Sequence, residues 1–277
     1  MNIFDGFYDG KENILKYAPF AYDTMLTIDK DYKLNELEAI KEEKKSIGLL
    51  PTMGALHEGH LSLAKRAKNE NDVLICSVFV NPIQFNNQED LEKYPRDLEG
   101  DLALLEGVNC DFVFAPSAEE VYAEKPEFTY SFGKLENVLE GPQRPGHFNG
   151  VATIVHKLFN WSKADKAYFG EKDFQQYKLL DGMVKSFFLD VNLIPCPIIR
   201  EKSGLAISSR NRKLSETGKE KAALLHQVIS EKTNLQEKQE KLEKEGFVVD
   251  YITEKDNRIF VAAFLEDVRL IDNVLTE

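Results

Sequence analysis

The segment PTMGALHEGH, residues 51–60, carries side chains that could handle an anionic ligand. His57 and His60 lie three residues apart where an apolar run ends, and Gly54 and Gly59 accompany them. Glycine lets the backbone approach a ligand closely. The helix predicted to follow would direct its free N–H groups and positive dipole end at the loop. The histidines share one side of a turn and would be donors with near-neutral pKa values. The loop therefore predicts a site for phosphate oxygens.

A zinc site and a plain helix cap are the alternatives for this loop. The zinc-protease pattern HExxH does not match the spacing of HEGH. The chain has five histidines and three scattered cysteines, with no CxxC pair. For a single histidine the helix cap would be the better interpretation. Two histidines with glycines at a strand end favour phosphate.

Two further loops carry polar side chains. In FVNPIQF, residues 79–85, Asn81 and Gln84 offer amides that could orient a polar, uncharged substrate group, although a loop cap explains them equally well. In GPQRPGHFNG, residues 141–150, Arg144 and His147 could face an anion. For that loop alone a surface turn is the better interpretation.

The segment AYFGEKDFQQ, residues 167–176, predicts another strand end followed by a helix. Lys172 could reach a phosphate there, and Asp173 could accept from a hydroxyl or hold Mg²⁺. A plain N-cap is the alternative for Asp173. Gln176, one turn further on, could face the same cleft.

The segment REKSGLAISSRNRK, residues 200–213, has five basic residues and one acidic residue, a local charge of +4 in a chain of net charge −12. Ser208, Ser209 and Arg210 would supply two hydroxyls and a forked donor. A glycine-containing loop at a domain boundary is also free to close over a ligand. The alternative is a solvated basic linker.

Alternating strands and helices must position these loops. The predicted strands are 46–50, 73–80, 111–115, 167–170 and 192–200, and the predicted helices are 34–45, 60–70, 97–107, 150–161 and 173–188. This order predicts an α/β fold with a Rossmann-like, doubly wound parallel sheet, whose ligands bind beyond the carboxyl ends of the strands. A charged helix over 214–246 and two or three final strands predict a smaller C-terminal α+β domain. We expect domains at 1–198 and 199–277, with residues 1–25 an unexplained extension.

Composition narrows the class of protein. A net charge of −12 should repel nucleic acid and anionic membranes. Cysteines without a paired pattern suit a reducing cytosol. Residues 1–15 lack the basic and apolar regions of a signal peptide, and the longest apolar run, 73–80, is too short to span a bilayer. These features predict a soluble cytoplasmic protein with small-molecule partners.

Seven segments together resemble the pantoate–β-alanine ligase (pantothenate synthetase) family, whose HIGH motif is shared with class I aminoacyl-tRNA synthetases. In chain order they are PTMGALHEGH, FVNPIQF, YPR, RPGHFNGV, FGEKDFQQ, SGLAISSRN and VRLIDN. The resemblance implies condensation of pantoate with β-alanine. ATP is the second substrate, and the reaction passes through pantoyl adenylate with Mg²⁺ required. It also implies a homodimer and a 199–277 domain that acts as a lid on the ATP/pantoate domain.

The resemblance also implies roles for individual residues. ATP would be bound by Met53, Gly54, Ala55, Leu56, His57, Glu58, Gly59, His60, Gly170, Glu171, Lys172, Asp173, Ile199, Ile207, Ser208, Ser209 and Arg210. His60 would be the catalytic acid, aided by His57, Lys172 and Arg210. Gln84 and Gln176 would hold pantoate, and Gln84 would also neighbour β-alanine. Asn81, Arg144 and His147 are further candidates for substrate binding, which their own loops predict. Asp101 would contact Mg²⁺.

Departures from the family are few. Ile207 stands where the family usually has Met, and Gly100 replaces an acidic residue.

Two other functions are alternatives to the ligase. One is a nucleotidyltransferase that adenylylates a phosphate ester, which would need a basic acceptor pocket rather than glutamines. The other is a non-catalytic nucleotide sensor, which would not need both histidines, Lys172 and Arg210 together.

Overall fold

The computed structural model describes residues 26–27 and 34–276 of the chain. They form two compact units, here called the first and second unit. The first contains the described residues of Met1–Leu56, together with His60–Phe169 and Leu179–Pro195. The second contains His57–Gly59, Gly170–Lys178 and the described residues of Cys196–Glu277. The predicted 1–25 extension lies outside the described residues, and the predicted division at 198 stays a prediction.

The larger sheet confirms the predicted α/β fold. Its strands are β1 (Leu26–Thr27), β2 (Ile47–Thr52), β3 (Val73–Val78), β4 (Phe112–Phe114), β5 (Lys166–Gly170) and β6 (Asn192–Cys196). They lie in the order β1-β4-β3-β2-β5-β6. The pairs β1–β4, β3–β4, β2–β3 and β2–β5 are parallel. Parallel neighbours with helical connections are the doubly wound arrangement that the alternation predicts.

The five predicted helices are present along the same part of the chain, together with three short helices that were not predicted. They are α1 (Leu34–Glu42), α2 (Glu58–Glu70), α3 (Gln88–Glu92), α4 (Leu98–Glu106), α5 (Ala118–Val121), α6 (Glu140–Gln143), α7 (His147–Ser162) and α8 (Phe174–Phe187). The predicted stripe of α2 is confirmed, since Leu61, Ala64 and Ala67 are buried. For α2, apolar periodicity therefore identified the helix face that packs into the core.

Several helix boundaries differ from the prediction by a few residues. Helix α2 begins at Glu58, so His60 lies in its first turn. Helix α7 begins at His147, directly after Gly146, whose φ of 78° is left-handed. A short 3₁₀ turn, Glu171–Asp173, precedes α8. Loops rich in glycine and proline show no apolar periodicity, so the sequence pattern does not reveal these helical first turns.

The second unit contains a three-stranded antiparallel sheet, as predicted for the C-terminal α+β region. Its strands are β7 (Val248–Lys255), β8 (Arg258–Leu265) and β9 (Val268–Leu275), in that order. Each hairpin turn uses two left-handed residues, at 256–257 and at 266–267. Such turns match the twist of the strands they join.

The predicted helix over 214–246 is wrong in its continuity. The structure has three helices there, α9 (Glu216–Ala222), α10 (Leu224–Ile229) and α11 (Leu235–Lys244). Asn234 starts the last one by accepting the N–H of Glu237 at 2.9 Å. The charged face of α11 is also not wholly solvated, because Lys238 is buried and donates to the carbonyl of Val228 at 3.3 Å. In the described part of the chain, no helix has the length and apolar character needed to cross a membrane.

Candidate functional site

The loop after β2 is held by a carboxylate from α4. Asp101, 3% exposed, accepts the N–H of Ala55 at 2.9 Å and that of Leu56 at 2.7 Å. Gly54 and Ala55 are left-handed, with φ of 77° and 51°. A Cβ on Gly54 would lie 2.6 Å from Asp101 Oδ2, so glycine is required there. Asp101 therefore shapes the residues from Met53 to Leu56, while its predicted Mg²⁺ contact stays a prediction.

His57 belongs to the second unit and is half-buried. Burial, and then the nearby charges of Lys172 and Arg212, lower its pKa from 6.5 to about 4. The near-neutral pKa predicted for His57 is therefore wrong, because the surroundings disfavour the charged ring. The neutral imidazole still offers one N–H donor.

Gly59 leaves room for that imidazole. A Cβ added at Gly59 would lie 2.9 Å from both Cε1 and Nδ1 of His57, a contact too close for the ring to stay in place. Glu58, the first residue of α2, is exposed, and His60 is half-buried on the same turn in the first unit. The glycine between the histidines thus sets the position of His57.

The 3₁₀ turn Glu171–Asp173 is anchored by β8 and β9. Asn273 donates to the carbonyls of Glu171 and Lys172 at 2.9 and 3.1 Å. Arg258 donates to the Glu171 carboxylate at 2.9 Å. These bonds hold the predicted ATP-binding turn by its backbone and by Glu171, so Lys172 is presented from a rigid base.

The side chains of Lys172 and Asp173 differ in exposure. The Lys172 side chain is 17% exposed and that of Asp173 is 48% exposed, with 3.8 Å between their charged groups. Gly170 ends β5, and a Cβ there would meet no atom within 4 Å. Gln176 follows on α8 and is half-buried. The open space at Gly170 gives a ligand access to the backbone at this strand end.

The predicted basic loop, residues 200–213, is held by hydrogen bonds within the second unit. Ile207 donates its N–H to the carbonyl of Ile199 at 3.0 Å. Arg200 donates to both carboxylate oxygens of Asp272, at 2.6 and 2.9 Å. Since Asp272 is 3% exposed, this forked pair occupies one of the five basic residues. The base of the loop is therefore tied to β9, and closure of residues 200–213 over a ligand stays a prediction.

The second half of this loop presents the predicted hydroxyls and guanidinium. Ser208 accepts the N–H of Arg210 at 3.3 Å and caps the 3₁₀ helix Ser209–Lys213. Lys172, Ser208 and Arg210 border one cavity of about 10 Å³. Space of that size holds about one water. The structure therefore brings these three predicted ATP-binding residues together within the second unit.

In the first unit, the predicted amides form a buried cluster with Met53. Asn81 donates from Nδ2 to Gln84 Oε1 at 2.9 Å and to the Gly150 carbonyl at 3.0 Å. Gln84 Nε2 lies 2.9 Å from Met53 Sδ. Asn81 sits at the N-cap of a 3₁₀ turn, Pro82–Gln84, without a capping bond from its side chain. The loop-cap alternative is thus wrong for Asn81, whose amide serves the cluster.

The loop before α7 is partly buried. His147 is 4% exposed, and its Nδ1 lies 2.9 Å from the Gln84 carbonyl. A surface turn is therefore the wrong interpretation for His147, which fixes the backbone at Gln84. Arg144 is half-buried at the C-cap of α6. Substrate contacts of either residue stay predictions.

A cavity of about 1080 Å³ opens in the first unit, bordered by Met53 and Asp101 among others. This volume is typical of small-molecule sites. Met53 and Asp101 belong to the predicted site, and most of the other predicted site residues are not on the lining of this cavity.

Several contacts of the site were missed from the sequence. Tyr122 donates to Asn81 Oδ1 at 2.6 Å, and no local pattern identified it. Gly150 has no space for a Cβ, which would lie 2.5 Å from the Ile83 carbonyl. Asp272 and Asn273 belong to the quoted VRLIDN segment, which marked them without indicating a role.

A magnesium ion would depend on nucleotide oxygens here. Among the described residues there is no cluster of three or more His, Cys, Asp and Glu side chains with metal-ligand geometry. Magnesium is commonly held by one or two carboxylates together with substrate phosphates and waters. The exposed Asp173 and a bound nucleotide would suit that arrangement.

Known proteins share this arrangement of sequence and fold. A family model described as pantoate-beta-alanine ligase matches residues 27–275. A pantothenate synthetase of Bdellovibrio bacteriovorus is 47% identical over 84% of this chain and 93% of the relative. One of Caldicellulosiruptor bescii is 42% identical over 91% and 99%. The structure of a Francisella tularensis pantoate-beta-alanine ligase, complexed with beta-gamma ATP and beta-alanine, matches with a TM-score of 0.82 at 40% identity, covering 91% of this chain and 97% of that one.

Proposed function

The chain belongs to the pantoate–β-alanine ligase family, and from this premise we propose that it condenses pantoate with β-alanine, using ATP. The pantoate carboxylate attacks the α-phosphorus of ATP, and pyrophosphate leaves. The amine of β-alanine then attacks the acyl carbon of pantoyl adenylate, and AMP leaves. The observation that carries this proposal is the family match, which extends over both units.

The donor side chains of the predicted ATP site suit the first step, formation of pantoyl adenylate. Negative charge grows on phosphate oxygens as pyrophosphate leaves, and donors held in place stabilise it. Lys172 and Arg210 supply cationic donors beside one cavity of the second unit. His57 supplies a neutral N–H, since its pKa is about 4. His60 is the catalytic donor of the HIGH segment, presented from the first turn of α2.

ATP binding uses backbone as well as side chains. The first segment is the Met53–His60 loop, in which Gly54 and Ala55 are left-handed and Asp101 holds the N–H of Ala55. The second is the Gly170–Asp173 turn, and the third comprises Ile199 and residues 207–210. Mg²⁺ would accompany the nucleotide and neutralise phosphate charge, and the exposed Asp173 would help to hold it. Asp101 is the alternative ligand, which the Mg²⁺ dependence of an Asp101→Asn variant tests.

The acceptor substrates are bound by amides. Gln84 and Gln176 hold the pantoate hydroxyl and carboxylate groups, and Gln84 also lies beside β-alanine. Asn81 and His147 support Gln84 through the bonds described above. Arg144 binds a substrate carboxylate through its positive charge. Glutamines suit hydroxyl and carboxylate groups better than the phosphate ester of the competing nucleotidyltransferase.

Assembly and location complete the proposal. The enzyme acts as a homodimer in the cytoplasm. Analytical ultracentrifugation of the purified chain tests the dimer, which a monomer at working concentrations would refute.

Pantoate-dependent exchange of labelled pyrophosphate into ATP tests the function. Exchange without β-alanine is expected only when pantoate is present, followed by equimolar AMP and pantothenate once β-alanine is added. A phosphate-ester acceptor that replaces pantoate would favour the other nucleotidyltransferase. ATP binding without exchange or turnover would favour the nucleotide sensor.

A further inference from the structure

The buried amide cluster of the first unit has a defined direction. The carbonyl of Gly150 can only accept, so the Asn81 atom that faces it at 3.0 Å must be the Nδ2 donor. The same Nδ2 faces Gln84 at 2.9 Å, which requires an acceptor there and assigns Oε1 to that position. Gln84 Nε2 must therefore point the other way, toward Met53.

Tyr122 completes this chain of bonds. With Nδ2 assigned, Asn81 Oδ1 faces the Tyr122 hydroxyl at 2.6 Å, so the hydroxyl is the donor. Asn81 is 1% exposed, and its carbonyl has no access to solvent. Burial raises the pKa of the Tyr122 phenol, which keeps the donor proton in place at working pH. The hydroxyl thus supports the one orientation in which every amide of the cluster is satisfied.

The ring of Tyr122 is held on both sides. Its centroid lies 6.2 Å from that of Phe79, and Lys157 Nζ lies 5.6 Å from it. Lys157 also donates to the Val121 carbonyl at 3.0 Å. Tyr122 follows α5, whose N-terminus is fixed by a reciprocal Ser117–Glu120 capping box. These contacts place the hydroxyl accurately enough to act on Asn81.

We infer that Tyr122 is a positioning residue for the ligase reaction, acting through Asn81 to present the Gln84 Nε2 donor to an oxygen of the acceptor substrate. The inference rests on the proposed function, in which Gln84 binds pantoate. It predicts that the site selects acceptor substrates that place a hydroxyl or carboxylate oxygen against Gln84 Nε2. Without the Tyr122 hydroxyl, the buried Oδ1 of Asn81 loses its donor, and the amide that bonds to Gln84 is held less firmly.

The Tyr122→Phe variant tests the inference because it removes the donor and keeps the ring. In pantoate-dependent exchange, kcat/KM for pantoate should fall about tenfold, the scale of one lost hydrogen bond to a buried acceptor. The KM for ATP should stay within about twofold, because the change is confined to the amide cluster. The matched control is Tyr130→Phe, which removes a hydroxyl bonded to His156 Nδ1 at 2.6 Å and lies outside the chain of bonds.

A double-mutant cycle with Gln84→Ala separates positioning from general support. If Tyr122 acts through Gln84, Tyr122→Phe should have no further effect in the Gln84→Ala background. Equal losses in both backgrounds, equal effects on ATP and pantoate, or no loss at all would overturn the inference. If Gln84→Ala itself leaves pantoate kinetics unchanged, the proposed role of Gln84 fails, and with it the positioning role. Absence of exchange in the wild type would instead contradict the proposed function.

Discussion

Asp101 binds the backbone of the HIGH-type loop, accepting the N–H of Leu56 at 2.7 Å from a position 45 residues away. Its second oxygen accepts the adjacent N–H of Ala55 at 2.9 Å. A buried carboxylate with two backbone donors acts as an internal anion, and it stabilises a loop whose Gly54 and Ala55 are both left-handed. The relationship makes Asp101 a determinant of loop shape.

Replacing Asp101 by Asn should destabilise the loop. The amide can accept only one of the two N–H groups and turns a donor toward the other, at a cost of about 1–3 kcal/mol. Urea unfolding should show that loss, and the exchange rate should fall at saturating Mg²⁺. The Mg²⁺ concentration for half-maximal rate should not change. A marked rise in that concentration would identify Asp101 as a metal ligand instead.

Asp97→Asn is the matched control for that experiment. Asp97 caps α4 by accepting the N–H of Gly100 at 3.0 Å, a role that Asn performs equally well. This variant should retain both stability and exchange.

Gly59→Ala should separate stability from activity. Alanine in a helix is favoured over glycine by about 0.5–1 kcal/mol, yet its Cβ would lie 2.9 Å from the His57 ring. We expect stability to change little and exchange to fall about tenfold or more, because the ring must move. Thermal melting and exchange rates measure the two effects.

Gly182→Ala provides the comparison, because a Cβ at this α8 position would meet no atom within 4 Å. It should raise the melting temperature without altering exchange. Full activity in Gly59→Ala would show that the position of His57 is unimportant.

His57 should give the protein an acid-sensitive component of stability. Its pKa falls from 6.5 to about 4, chiefly through burial. The unfolded chain therefore takes up a proton at a pH where the folded state resists it. This contribution to stability is complete above pH 6.5 and is lost as the pH falls toward 4. Urea unfolding of wild type and His57→Gln should give curves that converge or cross in that range, and parallel pH curves would contradict the assignment.

His60→Ala should lower pantoate-dependent exchange by about 10²-fold or more, the scale of a lost transition-state donor. The melting temperature should remain near that of the wild type, because His60 is a half-buried residue of the first turn of α2. His156→Ala is the control, since that imidazole contacts the Tyr130 hydroxyl in the same unit. Normal exchange in His60→Ala would remove His60 from the catalytic role.

The sequence predicted the features that depend on residues close together along the chain. Apolar runs gave β2 and β3, and apolar spacing gave the buried face of α2. Glycines at a strand end marked the loop before α2, because close approach of a ligand or side chain needs them.

The missed features are side-chain contacts between distant parts of the chain. Tyr122 and Asn81 are 41 residues apart, and Arg200 and Asp272 are 72 apart. No periodicity links such pairs, since they depend on how the elements pack. The pKa of His57 was misjudged for the same reason, because its burial and its cationic neighbours arise only in the folded unit.

Transfer of ¹⁸O from pantoate tests the adenylate mechanism most directly. Pantoate labelled in both carboxylate oxygens is incubated with the enzyme, ATP and β-alanine, and the AMP is analysed by mass spectrometry. Attack of the carboxylate on the α-phosphorus, followed by cleavage of the acyl C–O bond, predicts AMP with one ¹⁸O and pantothenate that retains the other. Unlabelled AMP, formed together with labelled pantothenate, would contradict the pantoyl adenylate and the proposed function of the site.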